Sequence, residues 1–270
     1  MTDALATTPT IPSLELFSLK GQTALITGGS RGIGAAIAIA LAQAGANIII
    51  AQRDESHTIT RDAIRALPGR KAEILKCDLS DLDEVKTVFE SAVGIAEGGR
   101  VHILVNCGGM LIREDAVNVE FDDWTKVINV NLNSLWILCQ AAGRHMIPSR
   151  HGKIINVASL NSYFGGARVP SYSASKGAVT QLTKALSNEW SRYNINVNAI
   201  APGSIATDIN ATARKDETFY KARLSGTPGN RWGEPEDFAG PAVFLASAAS
   251  QFMCGEIMAV DGGATAKGPL

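Results

Sequence analysis

TALITGGSRGIGAAIAIALAQAG, residues 23–45, decides how the rest of the chain is read. Five apolar or β-favouring residues run straight into a glycine-rich turn, and an Ala-rich helical stretch follows. Gly28, Gly32 and Gly34 allow a tight turn and let the backbone come close to a pyrophosphate. The start of the helix adds unpaired N–H groups and the positive end of its dipole. A glycine string alone is a weak sign. Strand, turn and helix in that order make it a dinucleotide cradle.

The same rhythm continues outward. NIII (47–50), AEILK (72–76), HILVN (102–106), KIINVA (153–158), NVNAI (196–200) and IMAV (257–260) read as strands. They are short and continuously apolar, as strands covered on both faces must be. Helical stretches are expected at about 33–45, 55–66, 81–96, 121–146, 171–192 and 235–248. Ser80 ahead of DLDE and Glu234 ahead of Pro235 are read as N-caps. Repeated β-α-β units call for one doubly wound α/β domain, a seven-stranded parallel sheet with helices on both faces. Residues 1–20 read as an arm, 21–270 as the domain, and about 204–232 as a lid, because that stretch breaks the rhythm.

Composition narrows the possible functions. Of the 270 residues, 46% are hydrophobic and 19% charged, which is ample for a core. The 25 basic and 26 acidic residues leave a net charge of −1, giving no basic surface for nucleic acid. No apolar run reaches the ~18 residues of a membrane span. MTDALATTPTIPSLE is polar and unlike a signal peptide, and the final KGPL matches no sorting signal, so a cytoplasmic location is expected. Cys77, Cys107, Cys139 and Cys254 lie in apolar runs without CxxC spacing and read as small buried hydrophobes. His57, His102, His145 and His151 form no ligand pattern, so no metal is expected.

YSASK (172–176) carries the chemistry. Tyr172 and Lys176, four apart on a helix, share one face. A free phenol has a pKa near 10, and a neighbouring ammonium is expected to lower it, making an acid/base group near neutral pH. Ser159 stands thirteen residues earlier, at the end of a strand, where open α/β sheets bind ligands.

TGGSRGIG and YSASK together resemble the short-chain dehydrogenase/reductase family, whose cradle reads TGxxxGIG. The resemblance runs from about residue 20 to 263. It implies a catalytic set of Asn131 (in NVNLNSLW), Ser159, Tyr172 and Lys176. Tyr172 would exchange the proton, Ser159 hold the oxygen, Lys176 tune Tyr172, and Asn131 support a relay water. For the cofactor it implies Gly28, Ser30, Gly32, Ile33 and Gly34 in the cradle, and Asp78 with Leu79 at the adenine. NCGG (106–109) stands where the family has NNAG, placing Asn106 and Gly108 at the cofactor. Cys107 and a glycine depart from that pattern, but small residues are kept. Pro202, Gly203, Ile205 and Thr207 match the segment at the nicotinamide end, where Tyr172 and Lys176 also lie.

The second strand ends on Gln52, where an NAD site usually has an acid. Arg53 follows and Arg31 sits within the cradle, and two cations suit a 2′-phosphate. NADP(H) is favoured and NAD(H) is the alternative, with Asp54 as the residue able to bond a ribose.

Within the family, GGARVPSYSASKGAV (165–179), NEW (188–190), YNINVNAIAPG (193–203) and RWGEPED (231–237) are most similar to sugar-acid dehydrogenases of the 2-deoxy-D-gluconate 3-dehydrogenase (2-keto-3-deoxygluconate 5-dehydrogenase) and gluconate 5-dehydrogenase type. A sugar acid or polyol is the implied carbonyl/alcohol substrate. Asn161, Tyr163, Arg168 and Trp232 are its candidate contacts, Arg168 for a carboxylate. An NADPH-dependent biosynthetic ketone reductase is the second reading, and a catalytically silent cofactor-binding homologue the third. The resemblance also implies a homotetramer built on the two long helices and the last strand.

Overall fold

The computed structural model describes residues 12–267. Seven strands form one parallel sheet: β1 (Thr23–Thr27), β2 (Asn47–Gln52), β3 (Ala72–Lys76), β4 (Ile103–Asn106), β5 (Gly152–Val157), β6 (Ile195–Pro202) and β7 (Ile257–Val260). Their order is β3-β2-β1-β4-β5-β6-β7. Every expected strand is present. The chain works outward from β1 to one edge, then returns to build the other half from β4. That reversal leaves a crevice between β1 and β4, at the carboxyl ends of the strands.

Both faces are covered. Helices α1 (Gly32–Gln43), α2 (Ile59–Arg65) and α8 (Ala239–Ala246) belong to one side. There Ile37, Leu41, Ile64, Phe238 and Leu245 pack on Ile26, Ile50 and Ile103. On the other side lie α3 (Leu82–Ile95), α4 (Phe121–Ile128), α5 (Ser134–Ser149) and α6 (Pro170–Trp190). Val88, Phe89, Leu138, Met146 and Trp190 fill that layer against Leu25, Leu104 and Val197. β1, β4, β5 and β6 are buried along their whole length, which accounts for their lack of alternation.

Several details differ from expectation. The stretch 121–146 is not one regular helix. A π turn at Asn129–Asn133 joins α4 to α5, which continues through Pro148 to Ser149. Helix α2 starts later than residue 55, because 53–57 form a loop tied down by Gln52. The N-cap of α3 is Asp81 rather than Ser80. Its carboxylate accepts from the N–H groups of Asp83 and Glu84 at 3.0 and 3.3 Å. Glu234 does precede a first turn opened by Pro235, but that turn is 3-10 and only then becomes α8. Cys77 and Cys139 are buried, Cys107 is half-buried and Cys254 is exposed, so Cys254 is not the buried hydrophobe expected.

Of the expected arm, residues 1–11 lie outside the described residues. From Pro12 the chain makes a 3-10 turn at Glu15–Phe17, then buries Leu19, whose N–H donates to the Ala44 carbonyl at 2.8 Å. The lid stretch holds two 3-10 turns and helix α7 (Glu217–Ser225). No helix of the described residues is long and apolar enough to cross a membrane.

Candidate active site

A cleft of about 1250 Å³ opens at the carboxyl ends of the strands, walled by the loops after β1, β2, β3, β4, β5 and β6. Its floor is a seam between the two halves of the sheet. Thr27 ends β1, and its buried hydroxyl accepts from the N–H groups of Cys107 and Gly108, each at 3.1 Å. The turn after β1 is thus pinned to the turn after β4.

The glycine turn fits a dinucleotide on geometric grounds. Gly28 has φ +67°, and a Cβ there would stand 2.7 Å from the Gly108 Cα. A Cβ on Gly34 would collide with the carbonyl oxygen of Gly28. Helix α1 begins at Gly32 without a side-chain cap and without an acid in its first turn. Its leading N–H groups therefore remain for an anion. Ser30, Arg31, Gly32, Ile33, Asp78, Leu79, Gly108, Pro202, Gly203, Ile205 and Thr207 also line the cleft. Asn106 does not. It is buried beneath the floor, where its amide donates to Asn156 Oδ1 at 2.9 Å and to Cys139 Sγ at 3.3 Å.

The adenosine end is shaped by Gln52. Its Nε2 donates to the carbonyls of Asp54 (2.6 Å) and His57 (2.9 Å), holding the loop, while its buried Oε1 has no partner in the protein. Asp54, the residue able to bond a ribose, is turned onto its own loop. Its carboxylate accepts from the hydroxyl and N–H of Ser56 at 2.6 and 2.9 Å, and those bonds hold it below the usual carboxylate range. Asp78 behaves likewise toward Ser80, at 2.7 and 2.9 Å, while still facing the cleft. Arg53 is exposed at the cleft edge. Arg31 reaches across the mouth to Asp208 of the lid at 3.2 Å, with both side chains about 70% exposed.

The catalytic candidates converge at the centre. Helix α6 starts at Pro170 and presents Tyr172 and Lys176 to the cleft. Ser159, which caps a 3-10 turn at the end of β5, lines the same cleft as Tyr172, and its Oγ accepts from the Asn161 N–H at 3.2 Å. Lys176 is 4% exposed. Its ammonium donates to the Val157 carbonyl at 2.7 Å and stands 5.7 Å from the centre of the Tyr172 ring. Burial holds Lys176 down to about 8. Burial raises the Tyr172 pKa, outweighing the neighbouring Ser159 hydroxyl, which lowers it. The expected net lowering by the ammonium is therefore not what the structure has; desolvation wins.

Asn131 sits within the π turn, buried. Its Oδ1 accepts from Met110 N–H (2.8 Å), and its Nδ2 donates to Met110 O (2.9 Å) and Ser175 Oγ (3.2 Å). The Asn131 side chain thus ties the loop after β4 to the start of α6.

The substrate candidates divide. Asn161 and Trp232 line the cleft, and Arg168 and Tyr163 do not. Arg168, at φ +64°, pairs with Asp115 at 2.8 Å, and Tyr163 donates its hydroxyl to the Ile257 carbonyl at 2.9 Å. The sequence reading passed over Arg113, Met110, Leu111 and Phe219, all in the wall. They come from loop and lid positions where periodicity carries no signal. Among the described residues no group of three or more His, Cys, Asp or Glu could hold a metal.

The family model described as enoyl-(acyl carrier protein) reductase matches residues 28–265. The chain belongs to this short-chain dehydrogenase/reductase family. It is an oxidoreductase that acts on CH–OH groups with a nicotinamide cofactor. It is 47% identical over 249 residues to the 2-dehydro-3-deoxy-D-gluconate 5-dehydrogenase of Bacillus subtilis (strain 168), covering 92% of this chain and 96% of the relative. It is 36% identical over 252 residues to the gluconate 5-dehydrogenase of Gluconobacter oxydans (strain 621H), covering 93% and 97%. Among solved structures it is similar to a gluconate 5-dehydrogenase from Burkholderia cenocepacia J2315 in complex with NADP and tartrate. That match has 38% identity and a TM-score of 0.90, and covers 95% of this chain and 100% of the other.

Proposed function

We propose that the chain is an NADP(H)-dependent dehydrogenase/reductase of a sugar acid, interconverting a secondary alcohol and a ketone. The observation that carries this reading is the convergence of Ser159, Tyr172 and Lys176 on one cleft with an uncapped, glycine-built phosphate cradle. The relatives, among them the sugar-acid dehydrogenases of Bacillus subtilis and Gluconobacter oxydans, support the substrate class.

Residues 28–34 would hold the pyrophosphate, Asp78 and Leu79 the adenine, and 202–207 the nicotinamide end. A bound nicotinamide supplies or accepts hydride at the carbinol carbon. Ser159 holds the substrate oxygen. Tyr172 passes the proton to or from it. Lys176, fixed on the Val157 carbonyl, places positive charge beneath the phenol. Three features favour a 2′-phosphate: neutral Gln52, Arg31 and Arg53 at the cleft edge, and an Asp54 carboxylate already engaged by Ser56. A cytoplasmic location and a homotetramer complete the proposal. A monomer mass by light scattering at micromolar concentration would refute the tetramer.

The test is a fluorescence titration with NADPH and NADH, followed by NADPH oxidation with 5-keto-D-gluconate and with neutral ketones. NADPH should bind at least about tenfold tighter, ~1.4 kcal/mol, and the keto acid should turn over fastest. Tighter NADH binding, or turnover of neutral ketones alone, would overturn the reading.

A further inference from the structure

Arg31 is one of two cations placed for a 2′-phosphate, yet its guanidinium already has a partner. It stands in the cradle just ahead of α1, and its Nη1 donates to Asp208 Oδ2 at 3.2 Å. Asp208 opens the first 3-10 turn of the lid, one residue after Thr207. Thr207 itself lies close to the cradle, since a Cβ on Gly32 would stand 3.4 Å from its Cγ2. Arg31, Gly32, Thr207 and Asp208 all line the cleft. The ion pair therefore spans the cleft mouth from cradle to lid. The lid's other ion pairs among the described residues do not reach the cradle: Lys221–Glu217 lies within α7, and Arg231–Asp237 joins the lid's end to the turn before α8.

The bond is of a kind that a phosphate displaces. It is a single contact, not the fork that a guanidinium makes with a well-placed carboxylate. Both side chains are about 70% exposed, so water and salt weaken it. A phosphate monoester carries about −1.5 to −2 at neutral pH and offers three acceptor oxygens, against a single charge on a carboxylate. Arg53, by contrast, joins no ion pair among the described residues.

We propose that Asp208 is a specificity-determining residue of this enzyme, a lid carboxylate that competes with the 2′-phosphate of NADP(H) for the Arg31 guanidinium. The inference rests on the NADP(H) reading and deepens it. NADP(H) must break the Arg31–Asp208 bond before it gains the full grip of Arg31. NAD(H) has a hydroxyl in place of that phosphate, and leaves the bond intact and the lid tied to the cradle. Asp208 thus narrows the gap between the two coenzymes. It also makes release of this tie a consequence of binding the phosphorylated one.

Dissociation constants for NADPH and NADH are measured by fluorescence on the full-length protein at low ionic strength, where an exposed ion pair is least screened. Asp208→Asn is expected to tighten NADPH by about three- to fivefold, the upper range of an exposed pair, and to leave NADH within about 1.5-fold of the parent. Arg31→Met should weaken NADPH, and adding Asp208→Asn to it should then change NADPH affinity by less than about 1.5-fold. That double variant separates competition for Arg31 from plain repulsion of the cofactor by Asp208, which would survive loss of the arginine and act on NADH as well. Asp208→Glu, which keeps the carboxylate, should stay close to the parent. Unchanged or weaker NADPH binding in Asp208→Asn would overturn the competition and leave the NADP(H) reading standing. So would an equal gain with NADH or in the Arg31→Met background. A parent protein that binds NADH more tightly than NADPH would overturn both.

Discussion

Tyr172 is a phenol held in its neutral form. Desolvation pushes its pKa up, Ser159 pulls it partly back, and the Lys176 ammonium is anchored to a main-chain carbonyl rather than to the phenol oxygen. At neutral pH this group is ready to give a proton to a carbonyl oxygen. Tyr172→Phe removes only that proton. Turnover should fall by about 10²–10⁴-fold, while NADPH affinity stays within about twofold of the parent. Turnover close to parental would move the proton donor elsewhere. The Tyr172–Lys176 pair was legible because spacing on a helix fixes which side chains share a face. Arg168 was not, although it lies only four residues before Tyr172. It occupies a left-handed turn ahead of α6, where spacing says nothing about direction, and the turn aims it at Asp115.

Elements were legible where periodicity or continuous hydrophobicity spoke. All seven strands fell where their apolar runs lie. The π turn at Asn129–Asn133 was invisible because one extra residue hardly disturbs a helical pattern, yet it turns Asn131 onto Met110. The caps of α3 show a similar limit: DLSDLDE offers several oxygens, and only backbone geometry selects Asp81. Packing between helices was equally hidden. Gly143 of α5 is the seat of Trp190 from the end of α6, and a Cβ there would stand 2.8 Å from the indole Cη2. Gly143→Ala gains roughly 1 kcal/mol of helix propensity, whereas overpacking costs about 1–3 kcal/mol. Since the backbone of α5 and a large ring must both shift, the second effect should win. Urea unfolding should show a lower midpoint, and a midpoint raised above the parent would mean that Trp190 moves aside freely.

For the whole molecule, the alternation of strand and helix announced the doubly wound sheet, and the order β3-β2-β1-β4-β5-β6-β7 sets the crevice between β1 and β4. The opposite rim of the sheet carries a feature that separate histidines in a sequence do not disclose. His102 Nδ1 accepts from the N–H of Thr23 at 3.1 Å, and His145 Nε2 from the N–H of Val101 at 3.2 Å. The His102 ring lies 5.8 Å from that of His151. Burial, with Arg100 and the other histidines, holds His102 down to about 4, and His145 and His151 are lowered too. A folded-state pKa below the unfolded value of ~6.5 means that this contribution to stability is complete above pH 6.5 and is lost as pH falls toward 4. Between pH 6.5 and 5, where exposed carboxylates stay ionised, the unfolding midpoint should drop, and His102→Asn should flatten that slope. An unchanged slope would clear His102 of the effect.

Gln52 spends both amide protons on the loop that follows it, and this makes position 52 hard to repurpose. A carboxylate there would have no proton to offer and would face two carbonyl dipoles. The loop presenting Arg53 would lose its tether at the moment the new acid was meant to reach a ribose. Laboratory evolution toward the other coenzyme would therefore find its first productive steps at Arg53 or Arg31, on the rim, and meet position 52 only after the loop had acquired a second anchor.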